Sequence, residues 1–349
     1  MPDSESNQDN FQIEQFYTPP QPRSKFRRLA FGFWVSLLVA ILVVVGGLLV
    51  YKTGFTFNQI QTGEVGELSL TENMATPTPD SDRINILLLG LRGEDDPNGG
   101  LLTDSVMVLS VKKSTGQVAL ISIPRDLFIL MPGANYKEKI NFAYALGFEK
   151  KGAAGALLFS KIAVSQVTGL YIDKAVSVDH AAFKEVIDIL GGVDVYLDKP
   201  FSEKTQFAKE MLIDLPAGQN HLDGTTALYF VRSRFETSDF DRARRQQLVL
   251  VAAKDKALSL GVIANPVKVF QILDSLGRNV KTDMSISDIK SLLTLANGLE
   301  ADKITHKVFD TTPEGLLQSS KSDAGAYILL PAAGDFSKIQ SACRNIFGQ

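Results

Sequence analysis

Ile84-Asn-Ile-Leu-Leu-Leu-Gly-Leu91 is a continuous apolar run, bounded by Asp82 before it and Gly93 after it. A strand with one wet face would alternate apolar and polar residues. A run apolar at nearly every position is the pattern of a strand buried on both faces, as in α/β proteins. Downstream, Asp104–Val111 and Gln117–Ile123 read as two further strands, joined by the Lys-Lys-Ser-Thr-Gly turn as a hairpin. Gly152–Gly169 is helical by length and alanine content, and Ala175–Val178 is a strand. His180–Leu190 is an amphipathic helix closed by Gly191-Gly192, a C-cap signal. Val193–Leu197 returns as a strand, Thr225–Val231 is short and apolar, and Asp239–Leu260 is a long helix. Helical stretches follow at Val267–Leu276 and Ser287–Leu299, then strands at Lys303–Phe309 and Tyr327–Leu330. Strands and helices interleaved in this way predict a three-layer α/β/α domain with a central mixed sheet. No linker-like segment divides Arg83 from Phe347, so residues 83–349 are expected to form one domain.

Upstream, Leu29–Tyr51 (LAFGFWVSLLVAILVVVGGLLVY) is long enough, at about 34 Å of helix, to cross a hydrocarbon core of about 30 Å. The competing reading is a signal peptide. The run is too long for a signal h-region, and Phe55, Phe57 and Gln59 offer no small-residue cleavage site. Arg23, Lys25, Arg27 and Arg28 precede the span, against Lys52 alone just after it, which places the N-terminus in the cytoplasm. The expected organisation is a disordered cytoplasmic tail (1–28), a single transmembrane helix (29–51), a linker (52–82) and a domain outside the cell membrane.

Composition narrows the chemistry. Of the 349 residues 45% are hydrophobic and 21% charged, and the net charge of −3 carries no field that favours nucleic acid. A single cysteine, Cys343, excludes an intramolecular disulfide, and three histidines leave too few ligands for an ordinary zinc site. The remaining candidates are carboxylates and arginines.

Five arginines lie within fourteen residues: Arg232, Arg234, Arg242, Arg244 and Arg245. On the long helix Arg242, Arg245 and Gln246 share a face near the N-terminus, at the positive pole of the helix dipole. Guanidinium forks in such a place suit phosphate oxygens. A solvated helix start, neutralised by Glu236, Asp239 and Asp241, is the plainer alternative. Ser122-Ile-Pro-Arg-Asp126 ends an apolar strand and projects Arg125 and Asp126 at the edge where open α/β sheets bind ligands. A strand-ending turn with an Arg–Asp pair is its structural alternative. Asp104 opens a strand, as a turn former or as a magnesium ligand, with Glu94, Asp95 and Asp96 just upstream. Lys139 and Asn141 add a cation and an amide. No nucleophile elbow, Walker loop or HExxH motif is present, and His221 and His306 lack a spaced nucleophile. Leu157–Val167 reads as a core helix, with a slot for a lipid tail as its alternative.

Taken in order, INILLLG (84–90), TDSVMVLS (103–110), SIPRD (122–126), KINFAYALG (139–147), IDILGGVDV (187–195), LDGTTALYFVRSR (222–234) and DFDRARRQQ (239–247) resemble the LytR-CpsA-Psr family of cell-envelope phosphotransferases. The resemblance implies a membrane-anchored catalytic domain that moves a phospho-glycopolymer from a polyprenyl-pyrophosphate carrier to peptidoglycan. It implies that Arg125, Arg232, Arg234, Arg242 and Gln246 hold the pyrophosphate, with Lys139 beside them. Asp104 would coordinate Mg²⁺ or Mn²⁺, and Asp104 and Asp126 are the carboxylates within reach of the acceptor's proton. Two departures stand out. The family's first aspartate position holds Arg92, and an arginine position before Asp104 holds Leu102. The second metal carboxylate is then either missing or supplied by Asp95 or Asp96. A hydrolase acting on the same lipid, and a non-catalytic binder of lipid or polymer, are the competing functions.

Overall fold

The computed structural model describes residues 62, 77–93, 100–207, 210–235, 237–259, 277, 279–285, 287–288, 291–292 and 304–348. In chain order the elements are β1 (Arg83–Gly93), β2 (Gly100–Lys112), β3 (Val118–Ser122), β4 (Phe128–Leu130) and β5 (Lys137–Lys139). A 3₁₀ turn leads into α1 (Ala143–Thr168), followed by β6 (Lys174–Asp179), α2 (His180–Ile189), β7 (Val193–Leu197), β8 (Phe201–Glu203), β9 (Ile213–Leu215) and β10 (Gly218–Leu222). Then come α3 (Gly224–Arg232), α4 (Asp239–Ser259), β11 (Val280–Thr282), β12 (Ile304–Val308), β13 (Leu317–Lys321), β14 (Tyr327–Pro331) and α5 (Ser337–Arg344).

Six strands form the central sheet in the order β11-β6-β1-β2-β3-β12. It is mixed: β1 is antiparallel to β2 and parallel to β6, while β3 is antiparallel to β2 and parallel to β12. The run that opens the domain therefore sits centrally, as its apolar pattern requires. Its odd-numbered side chains, Leu87, Leu89 and Leu91, join a core with Leu157, Phe159, Val164 and Val167 of α1. Leu88 and Gly90 face the opposite side, where α2, α3 and α4 lie across a cavity. A second core beneath that cavity unites Ile187, Val193, Val195, Phe230 and Val249.

The hairpin β2–β3, the helix α2 with its Gly191-Gly192 stop (φ +77° and +84°) and the long α4 follow the sequence expectation. Other elements differ. The first long helix starts at Ala143, nine residues before Gly152, and breaks at Lys151–Gly152. Its two halves then cross closely: a Cβ on Gly147 would lie 2.3 Å from the Gly155 carbonyl. β7 is not part of the central sheet but pairs antiparallel with β10, and β14 pairs with β13. The Thr225–Val231 segment is helical, within α3. Leu157, Phe159, Ala163, Val164 and Val167 are core.

Among the described residues no helix is long and apolar enough to cross a membrane. The span expected at Leu29–Tyr51, the tail before it, most of the 52–82 linker and the helix expected at Val267–Leu276 lie outside the described residues, as does most of Ser287–Leu299.

Candidate active site

β1 and β6 run parallel and end together, with Leu91 opposite Asp179. Asp179 caps α2 by accepting a hydrogen bond from the Ala182 N–H (2.8 Å), so the helix starts directly at the sheet edge. Beside this edge lies a cavity of about 350 Å³. Leu88, Met107, Val176, Val178, Phe183 and Val249 give it an apolar lining, and Arg92, Arg125, Arg232, Arg234 and Arg242 are also among its walls. Among the described residues Asp104 and Asp179 are the lining carboxylates, two against five arginines.

Each polar wall residue has a local cause. Gly90 pairs with Ser105 but Leu91 pairs with Thr103, so Asp104 is an extra residue in a β-bulge. Regular alternation would turn Asp104 to the same side as Val106, into the core. The bulge instead brings Asp104 to the cavity together with Ser105. Pro124 ends β3 and delivers Arg125 beneath it. Arg232 closes α3, and its cap residue Ser233 is extended (φ −61°, ψ 139°), which swings the chain so that Arg234 also lines the cavity. Gln206 fixes both arginines at their backbone: its Oε1 accepts from the Arg234 N–H (2.8 Å) and its Nε2 donates to the Arg232 carbonyl (3.3 Å). The Arg232 guanidinium lies over Phe207 (5.1 Å) and Tyr229 (5.5 Å). On α4, Arg242 and Gln246 stand one turn apart and both face the cavity.

Asp104 organises these cations. Arg92 Nε donates to its Oδ2 at 3.0 Å, Arg125 Nη1 pairs with its Oδ1, and Arg242 Nη2 donates to its backbone carbonyl at 2.9 Å. Burial opposes charge on Asp104, but Arg125, then Arg92 and Arg242, outweigh it and hold the carboxyl below the usual range. Arg242 is only 6% exposed. Burial, helped by the like charges of Arg125 and Arg234, lowers its pKa despite Asp239 and Asp104. The Nε atoms of Arg125 and Arg242 are buried without a hydrogen-bond acceptor. A buried orphan donor costs about 1–3 kcal/mol, and the carboxylate nearest the Arg125 Nε is Asp126, at 3.7 Å.

The structure thus brings together Asp104, Arg125, Arg232, Arg234, Arg242 and Gln246 from the sequence-predicted set. Three cations stand elsewhere. Arg245, expected on the Arg242 face, is buried against Phe201 and donates to the carbonyls of Phe230 (2.9 Å) and Ser233, clamping the end of α3. Arg244 pairs with Asp241 and Asp310 on the surface. Lys139 is tied to Asp126 (2.7 Å), and this pair does not line the cavity. Gln247, next to the cavity-facing Gln246, pins α4 to β3 through the Ser122 hydroxyl (2.8 Å) and meets His306 Nδ1 (2.9 Å). His221 pairs with Asp194. Both histidines are structural. Sequence reasoning missed Gln206, which has no motif around it, and Glu203, whose carboxylate anchors the same loop through the Ser233 hydroxyl (2.6 Å).

Of the carboxylates expected to hold a divalent metal, the described residues include Asp104 alone. Both carboxylate oxygens of Asp104 accept from guanidinium groups, and among the described residues no three acidic, histidine or cysteine side chains cluster to hold a metal. Asp95, the proposed second ligand, lies outside the described residues.

Comparison with known proteins agrees with this fold. The LytR_cpsA_psr family model matches residues 53–344. The polyisoprenyl-teichoic acid–peptidoglycan teichoic acid transferase TagU of Oceanobacillus iheyensis is 33% identical over 284 residues, covering 77% of this chain and 82% of that protein. TagV of Bacillus subtilis, named as the same kind of transferase, is 29% identical over 292 residues, covering 81% of this chain and 70% of its own. The crystal structure of B. subtilis TagV superposes with a TM-score of 0.58 at 26% identity, over 76% of this chain and 98% of that one. TagT bound to LIIa-WTA shares the fold, with a TM-score of 0.60 at 21% identity over 83% of this chain and all of its own.

Proposed function

The chain belongs to the LytR_cpsA_psr family, and from that premise we propose that it transfers a glycopolymer, as its phosphate, from a polyprenyl-pyrophosphate carrier to peptidoglycan. One observation supports the reading above others: five arginines from β1, the loop after β3, the end of α3 and the start of α4 line one largely apolar cavity. The cationic wall residues suit a diphosphate, and the apolar ones suit the first isoprene units of its lipid. The named activity of TagU and TagV relatives is consistent with both.

In the reaction the acceptor hydroxyl attacks the phosphorus that carries the glycan. The bond to the bridging oxygen breaks, polyprenyl phosphate leaves and the acceptor's proton is lost. Charge grows on the non-bridging and leaving oxygens, so catalysis rests on placement and charge stabilisation. Arg125 and Arg242 line the cavity where that charge develops, and Arg232 and Arg234 complete the clamp. Asp104 is a poor proton acceptor because its paired arginines lower its pKa. Its role is to orient them. Asp126, tied to Lys139 (2.7 Å), also stands 3.7 Å from Arg125 Nε and so flanks that arginine.

We place the domain outside the cell membrane, behind an uncleaved single-pass anchor at Leu29–Tyr51, because the reaction joins a membrane lipid to wall polymer and the flanking charges fit that orientation. The finer three-layer description, with α1 on one sheet face and α2–α4 on the other, accords with this use: the α1 face is core and the other holds the ligand.

The test is reconstitution of the full chain in nanodiscs with a polyprenyl-pyrophosphate-linked glycan and peptidoglycan oligomers. A phosphodiester-linked adduct with release of polyprenyl phosphate is the expected product. Free glycan phosphate formed without acceptor would make the protein a hydrolase, and binding without turnover would make it a carrier.

A further inference from the structure

The cavity contains a fifth arginine, Arg92, beside Arg125, Arg232, Arg234 and Arg242. Arg92 lies near the end of β1, on the parity of Leu88 and Gly90, so its side chain enters the cavity rather than the core. The β2 bulge presents Asp104 to it, and Arg92 Nε donates to Asp104 Oδ2 at 3.0 Å. Arg125 holds the other carboxylate oxygen. A hard divalent ion draws on carboxylate lone pairs and tolerates positive neighbours poorly. Here both oxygens already serve guanidinium groups, and a metal seated on either would stand within a few ångströms of both positive charges. The same geometry offers what such an ion would offer a diphosphate: a fixed positive charge, held by Asp104, at the wall where the phosphate oxygens come to rest.

We propose that Arg92 supplies in this protein the charge that a divalent cation on Asp104 would otherwise supply, so that the clamp binds and turns over its diphosphate without a metal ion. The inference rests on the cavity being the diphosphate site, but one of its consequences does not. Asp104 should have no affinity for a divalent ion even before any substrate is added.

The experiment has two independent arms, both on the full chain in nanodiscs after exhaustive chelation. In the first, Mn²⁺ is titrated and the free ion is followed by electron paramagnetic resonance. The wild-type chain should leave the free-ion signal unchanged. Arg92→Asp, which removes the guanidinium and adds a carboxylate, should bind one Mn²⁺. Stoichiometric binding by the wild-type chain overturns the proposal, since Asp95 or Asp96 would then complete a site. Failure of Arg92→Asp to bind while its circular dichroism stays native also overturns it, because Arg92 would not be what closes Asp104 to metal.

In the second arm, transfer is followed with and without chelator. Wild-type transfer should be insensitive to chelator, and Arg92→Ala should lose about ten- to a hundredfold, the value of one charge-assisted contact. Arg92→Lys should recover part of that loss. Arg92→Asp should become dependent on added metal. Wild-type transfer that stops with chelator and returns with Mg²⁺ refutes the proposal. If no variant transfers anything under any condition, the functional reading fails, and the Mn²⁺ titration still decides the question of metal.

Discussion

Arg242 and Arg245 stand three residues apart on α4, are buried to the same degree (6% and 8% exposed), and should respond to mutation in opposite ways. Replacing Arg242 by methionine keeps much of the side-chain volume and removes the charge. The losses in the free protein are a hydrogen bond to the Asp104 carbonyl and a pairing with Asp239 at 3.0 Å. Asp239 keeps the favourable field of the α4 N-terminus. The gains are relief from burying a guanidinium and from repulsion by Arg125 and Arg234. These roughly cancel, so unfolding free energy should change by no more than about 1 kcal/mol, or about 4 °C for a domain of this size. Binding has no such offset. A charge-assisted bond to a phosphate oxygen is worth about 1.5–3 kcal/mol, so affinity for a short-chain polyprenyl diphosphate should fall about ten- to 150-fold. Arg245→Met reverses the pattern. It strands the buried carbonyls of Phe230 and Ser233 and removes the guanidinium from the Phe201 ring at 4.6 Å. That should cost about 3 kcal/mol, or some 6–12 °C. Calorimetric titration of the full chain in nanodiscs, alongside thermal melts, reads both quantities. If Arg242→Met melts as early as Arg245→Met, or binds diphosphate normally, the assignment of the α4 faces is wrong.

Three further outcomes are expected. Glu203 is fully buried, and its carboxyl is held at about 2. Burial would raise it, but the Gln206 N–H, the Ser233 hydroxyl and Thr205 more than compensate. A depressed pKa stabilises the fold above about pH 4.5 and loses that contribution as pH falls towards 2. Acid titration of unfolding should therefore show a loss on the order of 3 kcal/mol in that window, absent from Glu203→Gln. Gly147→Ala would set a Cβ 2.3 Å from the Gly155 carbonyl and 2.8 Å from Phe159 Cβ, so the two halves of α1 must part. The urea midpoint should fall by the equivalent of about 3 kcal/mol, and an unchanged midpoint would contradict the close crossing. Cys343 is 1% exposed, and burial pushes its thiol up to about 12 despite the positive charge of Arg83. A thiol reagent at pH 8 should label it only as fast as the domain unfolds, and rapid labelling of native protein would refute its burial.

The parts of this fold that were legible in the sequence are those whose cause is local. β1 declares itself by an unbroken apolar run, and α2 by an amphipathic period ending in two glycines that take positive φ. What was not legible depends on partners far along the chain. β7 alternates Val193, Val195 and Leu197 inward like any half-buried strand, and nothing in it says that it pairs with β10 rather than with the main sheet. β10 itself reads Gly-Gln-Asn-His-Leu, which has no strand pattern until β7 supplies one. The early start of α1 was hidden because Lys151-Gly152 looks like a boundary. In the fold it is a kink, made possible by the paired glycines at 147 and 155.

The site divides along the same line. Its charges were legible, since arginines in a Ser-Arg run between apolar residues have few reasons to be there unless they are held. Which arginine does which task was not legible, because α4 turns Arg242 and Arg245 to neighbouring positions and only α3 decides that one meets Ser233 and the other the cavity. Likewise Asp104 could not be read as the hub from sequence, since its orientation is set by a bulge that depends on register with β1. The resulting arrangement is costly in isolation: like charges close together, two orphaned N–H groups, and a carboxylate fully engaged in holding them. Such a cluster persists because the cores on either side of the sheet fix the backbones from which it projects, and Gln206 and Asp104 then leave the guanidinium groups little room to separate. An anion carrying several oxygens would relieve that repulsion, so the same features that oppose folding support the proposed diphosphate over a singly charged ligand.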